Sequence, residues 1–162
     1  MTSAREKPER REERTEDEQE RLNRQMIELL NELRVAMPGV QILFGFLLTV
    51  PFQQRFRQVT EFQETVYFVT LVAAAVAAAF FIAPSAYHRV MFEQHDKPNI
   101  IHIGTGQMLI GLAALALAMN GAVLLVTDVL FEAGTVTVTV VLLATLYLSL
   151  WFGFGLVRRV QK

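Results

Sequence analysis

Cysteine is absent from this chain. Its absence excludes disulfides, thiolate metal sites and a Cys nucleophile. Lys, Arg, Asp and Glu are absent from three long stretches, 65–86, 104–127 and 134–157, and from a shorter one, 35–52. The usual catalytic signatures are missing too: no G-x-S-x-G, no H-E-x-x-H, no P-loop, and no G-x-G-x-x-G behind a strand. Gly104-Thr105-Gly106 and Gly153-Phe154-Gly155 fall in or beside apolar helices, where glycine reads as close packing. The formal net charge is only −1, so no nucleic-acid partner is expected. No cofactor is assigned, and the chain reads as a non-enzyme.

What is present is apolar and pooled. Residues of the hydrophobic class make up 52% of the chain, and they fall into four blocks instead of the 3.6-residue stripes of a soluble domain. A helix rises about 1.5 Å per residue and a bilayer's hydrocarbon core is roughly 30 Å thick. The three long stretches can therefore cross a membrane, and 35–52 nearly can. The fourth begins TVTVTVV, a strand-like composition. A lone strand cannot satisfy its backbone in lipid, so a helix is expected there as well. The predicted fold is an all-α, up-down-up-down four-helix transmembrane bundle with an N-terminal amphipathic helix and a disordered charged tail.

Residues 1–21 alternate acids and arginines with almost nothing apolar to bury, and read as disordered or as a frayed charged helix. Residues 22–162 form the four-span membrane domain. Within 22–34, Leu22, Met26, Leu29, Leu30 and Leu33 share one helical face, the mark of an amphipathic helix leading into the first span. The first apolar block opens only at Val35, behind a long polar stretch, so an uncleaved anchor is expected. Spans are read at about 35–52, 65–86, 104–127 and 134–157. Pro38 is expected to kink the junction with the first span and Pro51 to mark its exit. The connections are 53–64, 87–103 and a tight third loop around Asp128 and Glu132. Cations near the spans divide unevenly: Arg21, Arg24, Arg34, Arg89, Lys97, Arg158, Arg159 and Lys162 on one side, Arg55 and Arg57 on the other. By the positive-inside rule both termini and the second connection face the cytoplasm of a cell (inner or plasma) membrane. Tyr87 and Trp151 then fall near the inner interface and Tyr67 near the outer one.

Several residues are candidates for function. His88, His95 and His102 recur at seven-residue spacing. His88 closes the second span and His102 opens the third, so the pair could ligate a haem or a transition metal, with Glu93 and Asp96 as second-shell carboxylates. No known metal spacing matches, and the pattern reads first as ordinary interfacial histidines beside water and lipid headgroups. Thr49, Gln107, Asn120, Gln41 and Thr145 are polar groups inside apolar spans. Their usual work is interhelical hydrogen bonding; Thr49, Gln107 and Asn120 are candidates for a polar bundle interior, and Gln41 and Asn120 in particular are expected to face it. A small ion or solute transporter would line its path with Glu32, Gln41 and Asn120. No carboxylate lies at a span centre, which such a transporter would ordinarily need. Ala73/Ala77, Ala74/Ala78 and Ala75/Ala79 are small-xxx-small pairs, so the Ala73–Ala79 face is expected to touch another helix, including that of a second copy in a homo-oligomer. The lipid bilayer is the other expected partner.

The stretch ELLNELRVAMPGVQILFGFLLTVPF, followed by an Ala-rich span and APSAYHR, resembles a family of small bacterial four-span integral membrane proteins catalogued as a domain of unknown function. The likeness extends over nearly everything but the tail. It implies a four-span bacterial cell-membrane protein and supplies no reaction. Some members carry a sodium:proton antiporter label, which makes ion transport the alternative reading. The positions that match that family are Glu32, Arg34, Pro38, Gly39, Gln41, Pro51, Tyr87, His88 and Arg89, and the resemblance marks them, with Glu32, Arg34, Gln41, Tyr87, His88 and Arg89 as the candidate functional cluster.

Overall fold

The computed structural model describes residues 6–90 and 97–153. Four helices dominate it: α1 Glu6–Thr49, α2 Glu61–Val90, α3 Lys97–Leu130 and α4 Ala133–Tyr147. Short 3-10 turns at Val50–Phe52 and Gln54–Gln58 join α1 to α2, and a π-helical turn, Leu148–Gly153, continues α4. All four helices are long and apolar enough to cross a membrane.

Helix α1 absorbs both the charged segment and the amphipathic stretch. Residues 1–21 are expected to be disordered or a frayed charged helix, and from Glu6 onward the chain is helical. Glu, Arg and Gln are good helix formers, and residues added to an existing helix escape the cost of nucleation. The inward stripe of α1 is a seven-residue repeat: Met26, Leu33, Val40 and Leu47 are all buried. Leu29 is buried as well, and Ala36, Leu43 and Val50 are half-buried three residues behind each member of the repeat. This is the seam of a left-handed helix pair. Pro38 falls on the opposite, exposed side, and the helix runs through it.

Helix α1 ends where Pro51 withdraws its N–H. A helical residue 51 would donate to the carbonyl of Leu47. Tyr67 on α2 supplies the missing donor instead, its hydroxyl donating to the Leu47 carbonyl at 3.0 Å, and its ring stands edge-on to Phe56 at 5.0 Å. Tyr67 is thus turned inward as a clamp between α1 and α2, and not outward as a belt residue would be.

Helix α2 starts four residues before the uncharged run, because Thr60 and Gln63 form a capping box. The Gln63 amide N–H donates to Thr60 Oγ1 at 3.2 Å and the Thr60 N–H to Gln63 Oε1 at 3.1 Å. Glu61 and Glu64 occupy the first turn, where the helix dipole favours acids. The second connection is also shorter than 87–103: α2 continues to Val90 and α3 begins at Lys97, with Pro98 in its first turn.

Helices α2 and α3 form the principal pair, α1 lies against both, and α4 lies against α3. Their register is set by small residues. A Cβ on Gly104 would meet Pro84 and Leu29, one on Gly111 would meet Phe81, and one on Gly121 would meet Thr70. Near the chain ends of the pair, Gln63 Nε2 donates to Asp128 Oδ2 at 2.8 Å. Residue numbers fall on α2 as they rise on α3, so the two are antiparallel. Ala73, Ala74 and Ala77 are buried in this packing, whereas Ala75 and Ala79 are exposed. Close approach over small residues is the main source of helix association where no water is available to drive it.

The β-branched opening of α4 is helical. Thr137 and Thr139 donate their hydroxyls to the carbonyls of Ala133 and Thr135. Thr65, Thr70, Thr127 and Thr145 do the same four residues back. A threonine satisfied by its own helix carries no polar cost outward, so it fits an apolar exterior.

Candidate functional site

The residues named from sequence go to three places. The first is a cleft of about 430 Å³ between α1 and α2, lined by Leu30, Leu33, Arg34, Met37, Pro38, Gln41, Phe81 and Ser85. Arg34 and Gln41 are one heptad apart and so lie on the same face of α1, separated by roughly 10 Å along the axis. Pro38 lies between them. Its ring has no N–H, so the Arg34 carbonyl loses its helical donor. Among the described residues, the side chains of Arg34, Gln41 and Ser85 have no hydrogen-bond or ion-pair partner. Positions three and four residues either side of Arg34 hold Leu30, Asn31, Met37 and Pro38, so no acid on α1 neutralises it. Gln41 is exposed toward this cleft and not packed in the bundle interior.

The second place is a groove of about 450 Å³ where α4 stands away from α2. Asn120, Thr70, Tyr147 and Gly121 line it with apolar neighbours. Asn120 Nδ2 donates to the Val140 carbonyl at 3.4 Å, while its Oδ1 is buried with no donor. Gln107 Oε1, also on α3, is buried without a partner too. Gln107 and Asn120 are thirteen residues apart, which puts them on different faces and roughly 20 Å apart along the helix. They do not line one path. Nor does Glu32 join them: it is exposed, outside both the cleft that holds Gln41 and the groove that holds Asn120.

The third place is the outer surface. Thr49 is exposed, not interior, because its hydroxyl is satisfied by the Phe46 carbonyl at 2.7 Å. Thr145 is exposed for the same reason. Arg89 is exposed and Tyr87 half-buried on the last turns of α2. His88 and His102 sit on the end of α2 and the start of α3, but their side chains lie outside the described residues, as do His95, Glu93 and Asp96 entirely. Among the described residues no group of three metal-ligating side chains gathers.

Ser85, Met37 and Phe81 are missed by sequence reasoning, although Ser85 stands in the APSAYHR motif. Tyr67 is missed as a bridge. Its signal was readable: a proline at 51 orphans the carbonyl at 47, and a span needs a donor for it.

These helices and their grooves define an all-helical chain whose four helices have the length and apolarity of membrane spans. The chain belongs to a family of unknown function (DUF6328), whose sequence model matches residues 15–155. No curated protein and no solved structure matches it.

Proposed function

We propose that this is a multi-pass protein of a bacterial cell membrane, up-down-up-down, with both termini in the cytoplasm. Its role is non-enzymatic and works through association of its helix faces with a second copy of the chain. The observation that carries the membrane reading is what the helices leave uncovered. Only 33% of the most apolar window of α2 and 6% of that of α4 is buried inside the chain. Large side chains such as Phe46, Phe68, Val138 and Leu142 are more than half exposed. Water does not tolerate such a continuous apolar surface, and hydrocarbon does. The uneven division of cations supports the orientation.

Association is supported by the outer face of α2. Phe68, Val72, Ala75, Ala79 and Ile82 recur at alternating four- and three-residue steps, and all are exposed. Ala75 and Ala79 make a small-xxx-small pair left over after Ala73, Ala74 and Ala77 have packed within the chain. A second copy of α2 meeting it there allows close backbone approach.

The native lack of cysteine makes the test direct. Single Cys residues are placed at Thr2, Gln54 and Ala75. In intact spheroplasts a membrane-impermeant maleimide is expected to label position 54 and to reach position 2 only after permeabilisation. Oxidation in membranes is expected to crosslink the Ala75→Cys chain to itself. Labelling of position 2 from outside overturns the orientation, and absence of the crosslink overturns the association. Proton, sodium or solute flux above controls in liposomes would favour the transport alternative.

A further inference from the structure

We propose that the cleft between α1 and α2 binds the phosphodiester of an anionic phospholipid, with Arg34 on the phosphate and Gln41 on the ester carbonyls. This rests on the membrane reading above. Along the outer face of α1, Arg34, Pro38, Gln41, Gly45 and Leu48 follow one another at four- and three-residue steps. The order is a cation, an amide, then an open position and an apolar one. Gly45 has free space where a side chain would stand, and Leu48 is exposed. A phospholipid presents the same order along its length: phosphate, ester carbonyls, acyl chain.

The polar groups are uncommitted. Among the described residues Arg34, Gln41 and Ser85 make no side-chain hydrogen bond or ion pair, and guanidinium is the donor best matched to a phosphate. Ser85 faces Arg34 from α2 across the cleft, and exposed Arg89 stands one helical turn beyond Ser85. The remaining walls, Leu30, Leu33, Met37 and Phe81, are apolar. A free phosphate has no use for those walls or for the open face at Gly45 and Leu48, and a lipid has use for both. By the charge division this cleft lies at the cytoplasmic interface, where anionic headgroups concentrate cations and where basic pockets between spans take up lipid.

The test uses the full-length chain purified in a mild detergent. Binding of short-chain phosphatidylglycerol, phosphatidylcholine and inorganic phosphate is measured separately, by native mass spectrometry and by the shift in Tm. Phosphatidylglycerol is expected to bind in preference to phosphatidylcholine, and inorganic phosphate to give no shift at the same concentration. Arg34→Ala is expected to weaken phosphatidylglycerol at least tenfold, and Arg57→Ala to leave it unchanged. If Arg34→Ala does not fold, Arg34→Gln and Gln41→Leu carry the same comparison. Equal binding of the two lipids, loss of no affinity on changing Arg34, or an equal shift from inorganic phosphate each overturns the assignment. A chain that needs detergent yet lacks Arg34-dependent binding refutes this site alone. A chain that folds in water without detergent refutes the membrane reading beneath it.

Discussion

Gly121→Ala adds one methyl group at the tightest point of the α2–α3 pair. Built on the backbone, that carbon falls onto Thr70 Oγ1 and lies 3.2 Å from Thr70 Cβ and 3.3 Å from its Cγ2. Thr70 is only 1% exposed, and the one open side left to it is the groove beside α4. Turning its side chain away breaks the bond from Oγ1 to the Val66 carbonyl, 2.6 Å long, at about 1 kcal/mol. Forcing the helices apart costs about 1–3 kcal/mol by overpacking. Against this, Ala gains about 1 kcal/mol over Gly in a helix interior. The net expectation is a loss of about 1–3 kcal/mol. The control is Gly106→Ala on the same helix, where a Cβ meets nothing within 4 Å, so only the propensity gain remains. Two chemically identical changes should thus differ in sign. Trp151 is the only tryptophan and stacks on Tyr147 at 5.4 Å, which makes its fluorescence a reporter of reversible unfolding in mixed micelles. Thr70→Ala removes the overlapping hydroxyl, so the double variant should recover most of the loss. The reasoning is refuted if Gly121→Ala is as stable as Gly106→Ala, or if Thr70→Ala brings no recovery.

Three further changes test the polar contacts. Tyr67→Phe strips the Leu47 carbonyl of its donor and should cost about 1–3 kcal/mol in the same unfolding assay; an unchanged midpoint would show that the bond carries no weight. Gln63→Ala removes half of the capping box and the link to Asp128, with an expected cost of about 1–2 kcal/mol, while Asp128→Asn, which keeps an acceptor, should cost less. Asn120→Leu removes both an Oδ1 buried without a donor and a long Nδ2 bond to the Val140 carbonyl, so the isolated chain should hold its stability or gain; a loss above about 1 kcal/mol would mean that the bond to Val140 outweighs the orphaned oxygen.

The existence of the four helices was legible because lipid-length runs without charge leave few other solutions. The boundaries were less so. Uncharged length marks what fits in hydrocarbon, whereas a helix ends where its donors and acceptors are satisfied. The T-x-x-Q cap at Thr60 and Gln63 therefore carries α2 past the apolar limit. The inward stripe of α1 was readable only as far as Leu33. Beyond it nearly every residue is apolar, and Val40 and Leu47 lose the polar neighbours that would single them out. The alanine run announced a contact but not which pairs would make it, because that depends on the rotation of α2 against Gly111 and Gly121. Gln41 and Thr49 were misplaced by one assumption, that polar groups in a span turn inward. A hydroxyl can bond its own helix, and a glutamine on an exposed helix face can turn to a cleft that holds other polar groups, as Gln41 does beside Arg34 and Ser85.

Prolines sharpen that point, since each one inside a helix orphans the carbonyl four residues before it. Pro51 orphans Leu47, and Tyr67 repairs the loss. Pro84 orphans Phe80 and is itself buried against Gly104. Pro38 orphans Arg34 at the mouth of the cleft, where among the described residues no side chain plays the part that Tyr67 plays at Leu47. Restoring an N–H should then be worth different amounts at different sites. Pro38→Ala returns a donor to an unrepaired carbonyl in the middle of α1 and removes a ring that costs about 3 kcal/mol in a helix interior. Pro51→Ala returns a donor to a carbonyl already bonded, in the 3-10 turn Val50–Phe52 where α1 has ended, so its gain should be under about 1 kcal/mol. Measured by the same micelle unfolding, the gain at position 38 must exceed the gain at 51. Equal gains would mean that the Arg34 carbonyl already has a donor, and the cleft would then hold one acceptor fewer for any ligand.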